Sequence, residues 1–259
     1  MFTKIMSVIF NDAFVDYVLE TFDLKMCIFT KLHVNSPLHT FLLFSKVLKG
    51  SQYYDIRMGV TCVLSVPIHE GKSAKQMVDI IYHKLEKLGA EKLPSWTMDC
   101  ETYQSVHPGQ ENNLKLLHLL HHSEYPKLTF SVLENNTCMV SESGFDLIID
   151  KLKAFYTPRK GGKIEVKGPK YRLGDIVVRI GSITQTSNFK GLILEIEYMP
   201  CHDAAICWNI LSEFLTNHID SSLAIPQPPS QYIDSRQGLF SEADTIVQYL
   251  PYLLQVKRQ

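Results

Sequence analysis

Apolar and polar positions along this chain fall into short blocks, and the spacing inside each block predicts an element. Met58 to Val66 is rich in β-branched residues and ends at Pro67, so it reads as a strand. Ser73 to Leu88 has the helical period, with Met77, Ile80, Ile81, Leu85 and Leu88 on one face. Ser73 and Gln76 have the spacing of a capping box, and Gly89 is placed to end the helix. Strands are expected over Ser95 to Tyr103, Leu114 to Leu120, Lys127 to Leu133 and Thr137 to Ser141. Glu134, Asn135 and Asn136 tolerate turn dihedrals, so the last two strands are expected to form a hairpin.

Phe145, Ile148, Ile149, Leu152 and Phe155 mark a second amphipathic helix, with Ser143 as its N-cap and Pro158, Gly161 and Gly162 beyond its end. Lys163 to Lys167 alternates, with Ile164 and Val166 inward and Lys163 and Lys167 outward. Tyr171 to Ile180 and Leu192 to Tyr198 are further strands. In the second of these, Leu192, Leu194, Ile196 and Tyr198 share one face, and Glu195 and Glu197 share the other. Trp208, Leu211 and Leu215 lie on a third helix, residues 217–240 read as a Ser-, Gln- and Pro-rich loop, and Glu242 to Gln259 reads as a final helix that Pro251 breaks or kinks. About eight strands with helices at the margins predict an α+β fold, an antiparallel β-barrel-like sheet with flanking helices.

The chain has 259 residues, 45% of them apolar, which is enough for a sizeable core. Its 26 Lys and Arg against 27 Asp and Glu speak against a dedicated nucleic-acid binder, which is usually strongly basic. Residues 1–57 carry short apolar runs, and the run from Ile5 to Phe10 is cut by Asn11 and Asp12, so neither a signal peptide nor a membrane span is expected. The six cysteines show no C-x-x-C spacing and are read as reduced thiols.

Three groupings could carry chemistry. His118, His121, His122 and Glu124 offer metal-ligand side chains, but on a strand His118 and His122 point one way and His121 the other, so no metal site is expected. Glu195 and Glu197 form an E-x-E pair of the kind that holds a divalent metal in tunnel-shaped triphosphatases. That chemistry needs a second pair, which the chain lacks, so both glutamates are expected on a solvated face. Arg159, Lys160, Lys163, Lys167, Lys170 and Arg172 form a basic run against a lone Glu165, suited to an acidic surface or to phosphate. Asn135 to Thr137 matches a glycosylation sequon, which is idle without secretion. No catalytic residue, cofactor site or metal site is expected.

A run of short segments, in order and at consistent spacing, resembles the Mediator subunit 20 family of the RNA polymerase II Mediator complex. They are Met58 to Val63, Glu70 to Ser73, Leu88 to Lys92, Asp99 to Tyr103 and Ser123 to Pro126. Further along come Phe145 and Asp146, Lys151 to Lys153, Glu195 to Tyr198, Pro200 and Cys201, Cys207 and Trp208, Asp244 and Thr245, and Val247 to Tyr249. The resemblance covers residues 58–259 and leaves 1–57 unmatched, so Met58 is expected as the start and 1–57 as an N-terminal extension. It implies a non-enzymatic nuclear subunit with a barrel-like fold, paired with Mediator subunit 18 and tethered through Mediator subunit 8 to the rest of the head. It also implies an indirect link to RNA polymerase II, with no direct nucleic-acid contact. An exposed apolar edge or patch is the expected basis of assembly. Lys163 and Lys167 of the basic run, and Ile246, Tyr249 and Leu253 of the last helix, are the candidate partner-binding residues. The alternative function is a metal-dependent phosphohydrolase on a tunnel-like barrel using Glu195 and Glu197.

Overall fold

The computed structural model describes residues 59–106, 115–133, 137–228 and 239–256. These all fall within one compact unit, Arg57–Gln259. The N-terminal extension, Met58, the turn at Asn135 and Asn136, Cys27 and the tail from Lys257 lie outside the described residues.

The described elements are, in order, β1 (Val60–Val66), α1 (Ala74–Lys87), β2 (Glu91–Ser105), β3 (Leu116–His122), β4 (Leu128–Leu133), β5 (Cys138–Glu142), α2 (Phe145–Lys151), β6 (Tyr156–Pro158), β7 (Ile164–Leu173), β8 (Ile176–Gln185), β9 (Asn188–Tyr198), α3 (Ala204–Phe214), continued by a π-helical turn (Leu215–Ile219) into the expected 217–240 loop, and α4 (Glu242–Val256). The nine strands form one antiparallel sheet in the order β1-β9-β8-β7-β2-β3-β4-β5, with β6 beside β2. The sheet curls into a half-barrel. α4 touches β1 at one edge and β4 and β5 at the other, so it fills the open side.

The capping box of α1 is present. The Gln76 amide donates to Ser73 Oγ at 3.2 Å and the Ser73 amide to Gln76 Oε1 at 2.7 Å. Gly89 ends that helix with φ of 84°, which suits a residue without Cβ. The strand expected over Tyr171 to Ile180 is two strands: Gly174, at φ 57°, turns the chain between Leu173 and Ile176. The second helix is shorter than expected. It ends at Lys151, and Gly144 rather than Ser143 stands at its N-cap. α4 runs through Pro251 without ending. A mid-helix proline removes one hydrogen bond, while Tyr249, Leu250 and Leu253 stay fully buried on either side of it and hold the helix down.

Both faces of the sheet are covered. On the outer face, Val60, Cys62 and Leu64 of β1, Leu192, Leu194 and Ile196 of β9, and Val178 and Ile180 of β8 pack under α1 and α3. On the inner face, Trp96, Met98 and Cys100 of β2, Ile164 and Val166 of β7, and Phe130 and Val132 of β4 pack around α4. Gly181 lies where Trp96 needs room: a Cβ there would sit 2.8 Å from the indole and 2.5 Å from Val166. Among the described residues, no helix is long and apolar enough to cross a membrane.

α4 also finishes the hydrogen bonding of β1. Gln248 Oε1 accepts from the Val63 amide at 3.0 Å, and its Nε2 donates to Thr61 O at 2.9 Å. One side-chain amide thus does for the β1 edge what a neighbouring strand would do.

Candidate functional site

Glu195 and Glu197 do share a face of β9, but it is the inner one, and they are only 1% and 7% exposed. This corrects the solvated-face expectation. Alternation placed the two carboxylates together; the face opposite Leu194 and Ile196 turned out to be buried as well, because the sheet curls around α4.

Their partners come from neighbouring strands in register. Arg179 of β8 stands directly opposite Glu195. Its Nη1 donates to Glu195 Oε1 at 2.5 Å and to Glu197 Oε2 at 2.9 Å. Its Nη2 donates to Glu124 Oε2 at 3.2 Å, which brings in the turn between β3 and β4. Lys170 of β7 is opposite Arg179 and donates to both Glu124 oxygens, at 2.9 and 3.0 Å. Tyr249 of α4 donates to Glu195 Oε2. The Gly59 amide donates to Glu197 Oε1 at 3.2 Å. A side chain at Gly59 would collide with the β9 backbone, its Cβ only 2.0 Å from Tyr198 O, so glycine is what lets that amide reach the carboxylate.

Three carboxylates therefore face two cations, with Arg179, Glu195 and Glu197 nearly out of water and Lys170 and Glu124 partly exposed at the edge. Burial opposes ionisation of Glu195, but Arg179 overrides it, and with help from His122 and Tyr249 the carboxyl falls to about 2. Burial likewise opposes ionisation of Glu124, and Arg179 and Lys170 hold it below the usual range. Burial and then Glu195 push the Tyr249 phenol far up, so it remains a donor. His122 lies 3.6 Å from Glu195 and stacks on Trp96 at 5.3 Å.

This arrangement bears on the E-x-E pair's chemistry. All four oxygens of Glu195 and Glu197 already accept hydrogen bonds, from Arg179, Tyr249 and Gly59. A divalent cation would have to displace a guanidinium held by three carboxylates. The cluster instead ties β7, β8, β9, α4 and the β3–β4 turn together.

The histidines do not converge. His118 and His122 point inward, as strand alternation requires, and His118 Nδ1 lies 2.9 Å from Thr102 Oγ1. His121 points outward and bridges Asp99 and Asp146 at 3.2 and 3.1 Å. The Asp99 hydrogen bond raises its pKa against a smaller opposing effect of burial. Glu124 is committed to Lys170 and Arg179. Among the described residues, no three His, Cys, Asp or Glu side chains are gathered to hold a metal ion.

Of the candidate partner-binding residues, Lys163, just before β7, and Lys167, on it, are exposed, with Glu165 between them and 3.4 Å from Lys163. The basic run loses Lys170 to the buried cluster. Ile246, Tyr249 and Leu253 are fully buried in the inner core, so the stripe read as a contact surface faces the chain's own sheet. The chain needs that stripe itself, to fill the half-barrel. Arg179 escaped the sequence reading. A lone arginine in the apolar run from Ile176 to Gly181 is the signal that could have found it.

Residues 58–254 match the family described as TATA-binding related factor (TRF) of subunit 20 of Mediator complex. The chain is 40% identical over 207 residues to Mediator of RNA polymerase II transcription subunit 20 of Xenopus laevis, covering 78% of this chain and 96% of that protein. The human protein of the same name is 38% identical over 205 residues, with the same coverage of each chain. Among solved structures, a chain of the Schizosaccharomyces pombe Mediator head module is similar with a TM-score of 0.36 and 13% identity, covering 62% of this chain and 95% of that one.

Proposed function

The chain belongs to the Mediator subunit 20 family, and from that premise we propose that it is a non-catalytic subunit of the Mediator head. In this reading it pairs with Mediator subunit 18 and connects through Mediator subunit 8 to the rest of the head. It helps relay activator signals to RNA polymerase II at promoters, in the nucleus and without touching nucleic acid directly. Residues 58–259 carry the role, and residues 1–57 are an addition to it.

The observation that carries the non-catalytic half is the fate of the E-x-E pair. Metal-assisted phosphoryl chemistry needs carboxylate oxygens free to bind a cation and water. Here Arg179, Tyr249 and Gly59 use them all. The near balance of charge fits an assembly subunit better than a nucleic-acid binder.

Co-expression of residues 58–259 with Mediator subunit 18 of the same organism, followed by size-exclusion chromatography with light scattering, tests the pairing. A stable one-to-one complex is expected. Two separate monomers, with the full chain as well, would sink it.

A further inference from the structure

Among the described residues, Thr157 and Pro158 form the one Ser/Thr-Pro pair. The run Thr157-Pro158-Arg159-Lys160 sets a proline directly after a hydroxyl and a lysine third after it. The other such pair of the chain, Ser36-Pro37, is followed by Leu38 and His39. Each part of the first run has a use to an enzyme that modifies hydroxyls. Proline has no amide N–H, so a pocket that leaves that donor unsatisfied accepts proline and rejects other residues. Proline also keeps the residue before it extended, the form in which a chain threads a cleft. The lysine offers a compact charge to an acidic group beside that cleft.

The fold keeps these features within reach. β6 is three residues long and pairs with β2 alone, off the main path of the sheet. Tyr156 is buried and anchors it, while Pro158, Arg159, Lys160 and Gly161 are exposed. Thr157 is half-buried, and its hydroxyl makes no hydrogen bond among the described residues. Other threonines differ: Thr102 Oγ1 lies 2.9 Å from His118 Nδ1, and Thr184 Oγ1 donates to Glu165 O. The turn after β6 is pinned by its backbone. The Arg159 amide donates to Thr102 O at 2.8 Å, the Gly162 amide to Arg159 O at 2.8 Å, and Gln185 Nε2 to Gly161 O at 2.6 Å. At this end the basic run is not neutralised. Lys163 has Glu165 at 3.4 Å, but neither Arg159 nor Lys160 pairs with a carboxylate among the described residues. Residues two apart on an extended chain face the same way, so Arg159 falls on the side of the Thr157 hydroxyl.

We propose that Thr157 is a phosphorylation site for a proline-directed protein kinase, and that the phosphate takes Arg159 and Lys160 as its counter-ions. In the transfer, Thr157 Oγ1 attacks the γ-phosphorus of magnesium-bound ATP. The Oγ1–P bond forms as the bond to the β,γ-bridging oxygen breaks, the hydroxyl proton passes to the carboxylate base of the kinase, and ADP leaves. The phosphate adds about −1.5 to −2 charges at pH 7, enough to cancel the positive end of the run. A surface suited to an acidic partner thereby becomes one that repels it. The inference depends on the run and its exposure, not on the assembly reading above.

The test is to incubate the folded full-length chain with a purified cyclin-dependent kinase, its cyclin, magnesium and ATP, and to map the product by mass spectrometry. A synthetic peptide of residues 153–164 is the reference substrate. Phosphate is expected on Thr157 of the folded chain. Thr157→Ala should abolish it and Thr157→Ser should keep it. Pro158→Ala should slow labelling about tenfold or more, and Lys160→Ala by less. In the phosphorylated chain, phosphorus NMR should place the second ionisation of the phosphate below its ordinary value of about 6, and Arg159→Gln should return it towards that value. If the peptide is labelled and the folded chain is not, if neither is labelled, or if the phosphate lies on another residue, Thr157 is not the site. A phosphate on Thr157 that ionises at the ordinary value removes Arg159 and Lys160 as its counter-ions.

Discussion

The two faces of this one sheet are buried by different chemistry. The outer face packs under α1 and α3 through side chains such as Leu64, Leu85, Leu194 and Leu211, all hydrophobic. The inner face packs around α4, and beside Trp96 and Ile246 it takes in Arg179, Glu195, Glu197 and His122. An aliphatic interface is held by area and volume, and it tolerates repacking. A buried ion cluster is held by direction: each carboxylate must meet its donor at hydrogen-bond distance, or an uncompensated charge remains. The contrast explains how α4, which carries a proline at mid-length, keeps a defined seat in the half-barrel: Tyr249 and Gln248 lock it by hydrogen bonds to β9 and β1.

The most severe test of the contrast is Arg179→Met. It leaves Glu195 and Glu197 buried without their cation, and urea denaturation should show a loss of about 3–5 kcal/mol. Adding Glu195→Gln and Glu197→Gln should recover much of that loss, which a purely steric role for Arg179 would not allow. On the outer face, Leu211→Ala removes a fully buried side chain between α3 and β1 and should cost about 2–5 kcal/mol by the same assay. Leu211→Met should cost less than about 1.5 kcal/mol, showing the tolerance that the inner cluster lacks.

Acid should separate the two faces as well. Glu195 ionises at about 2 in the folded chain, against an ordinary glutamate value of 4.5. A carboxyl depressed by folding stabilises fully above its unfolded value, and that contribution fades as pH falls from 4.5 towards 2. The part due to this group is on the order of 3 kcal/mol. Stability measured along that range should fall in the parent protein, and the contribution from Glu195 should vanish in the Arg179→Met, Glu195→Gln, Glu197→Gln variant. The smallest expected effect is on the outer face. Ser73→Ala removes the α1 cap and should cost about 1 kcal/mol, without altering the acid response.

Much of this architecture was legible from spacing. The Ser73 capping box, the exposure of Lys163 and Lys167 on either side of inward Ile164 and Val166, the split of His121 from His118 and His122, and the grouping of Glu195 with Glu197 all follow from periods of 3.6 and 2 and match the structure. What spacing does not reveal is which face of a strand is covered, because a curled sheet can bury both. That is why Glu195 and Glu197 looked solvated. It is also why Ile246, Tyr249 and Leu253 looked available to a partner when the half-barrel needs them. The β7–β8 break hung on one residue, Gly174, inside a run that otherwise reads as continuous strand.

Membership of the Mediator subunit 20 family is established by similarity, and the proposed role as an assembled, non-catalytic subunit is open to direct test. The most direct measurement is to purify the full-length tagged chain from nuclear extract of its own organism and quantify what accompanies it by mass spectrometry. Mediator subunits are expected at near-equal stoichiometry, subunit 18 among them. Recovery of the chain in the same extract as a free monomer, with intact Mediator lacking it, would rule the assembled role out.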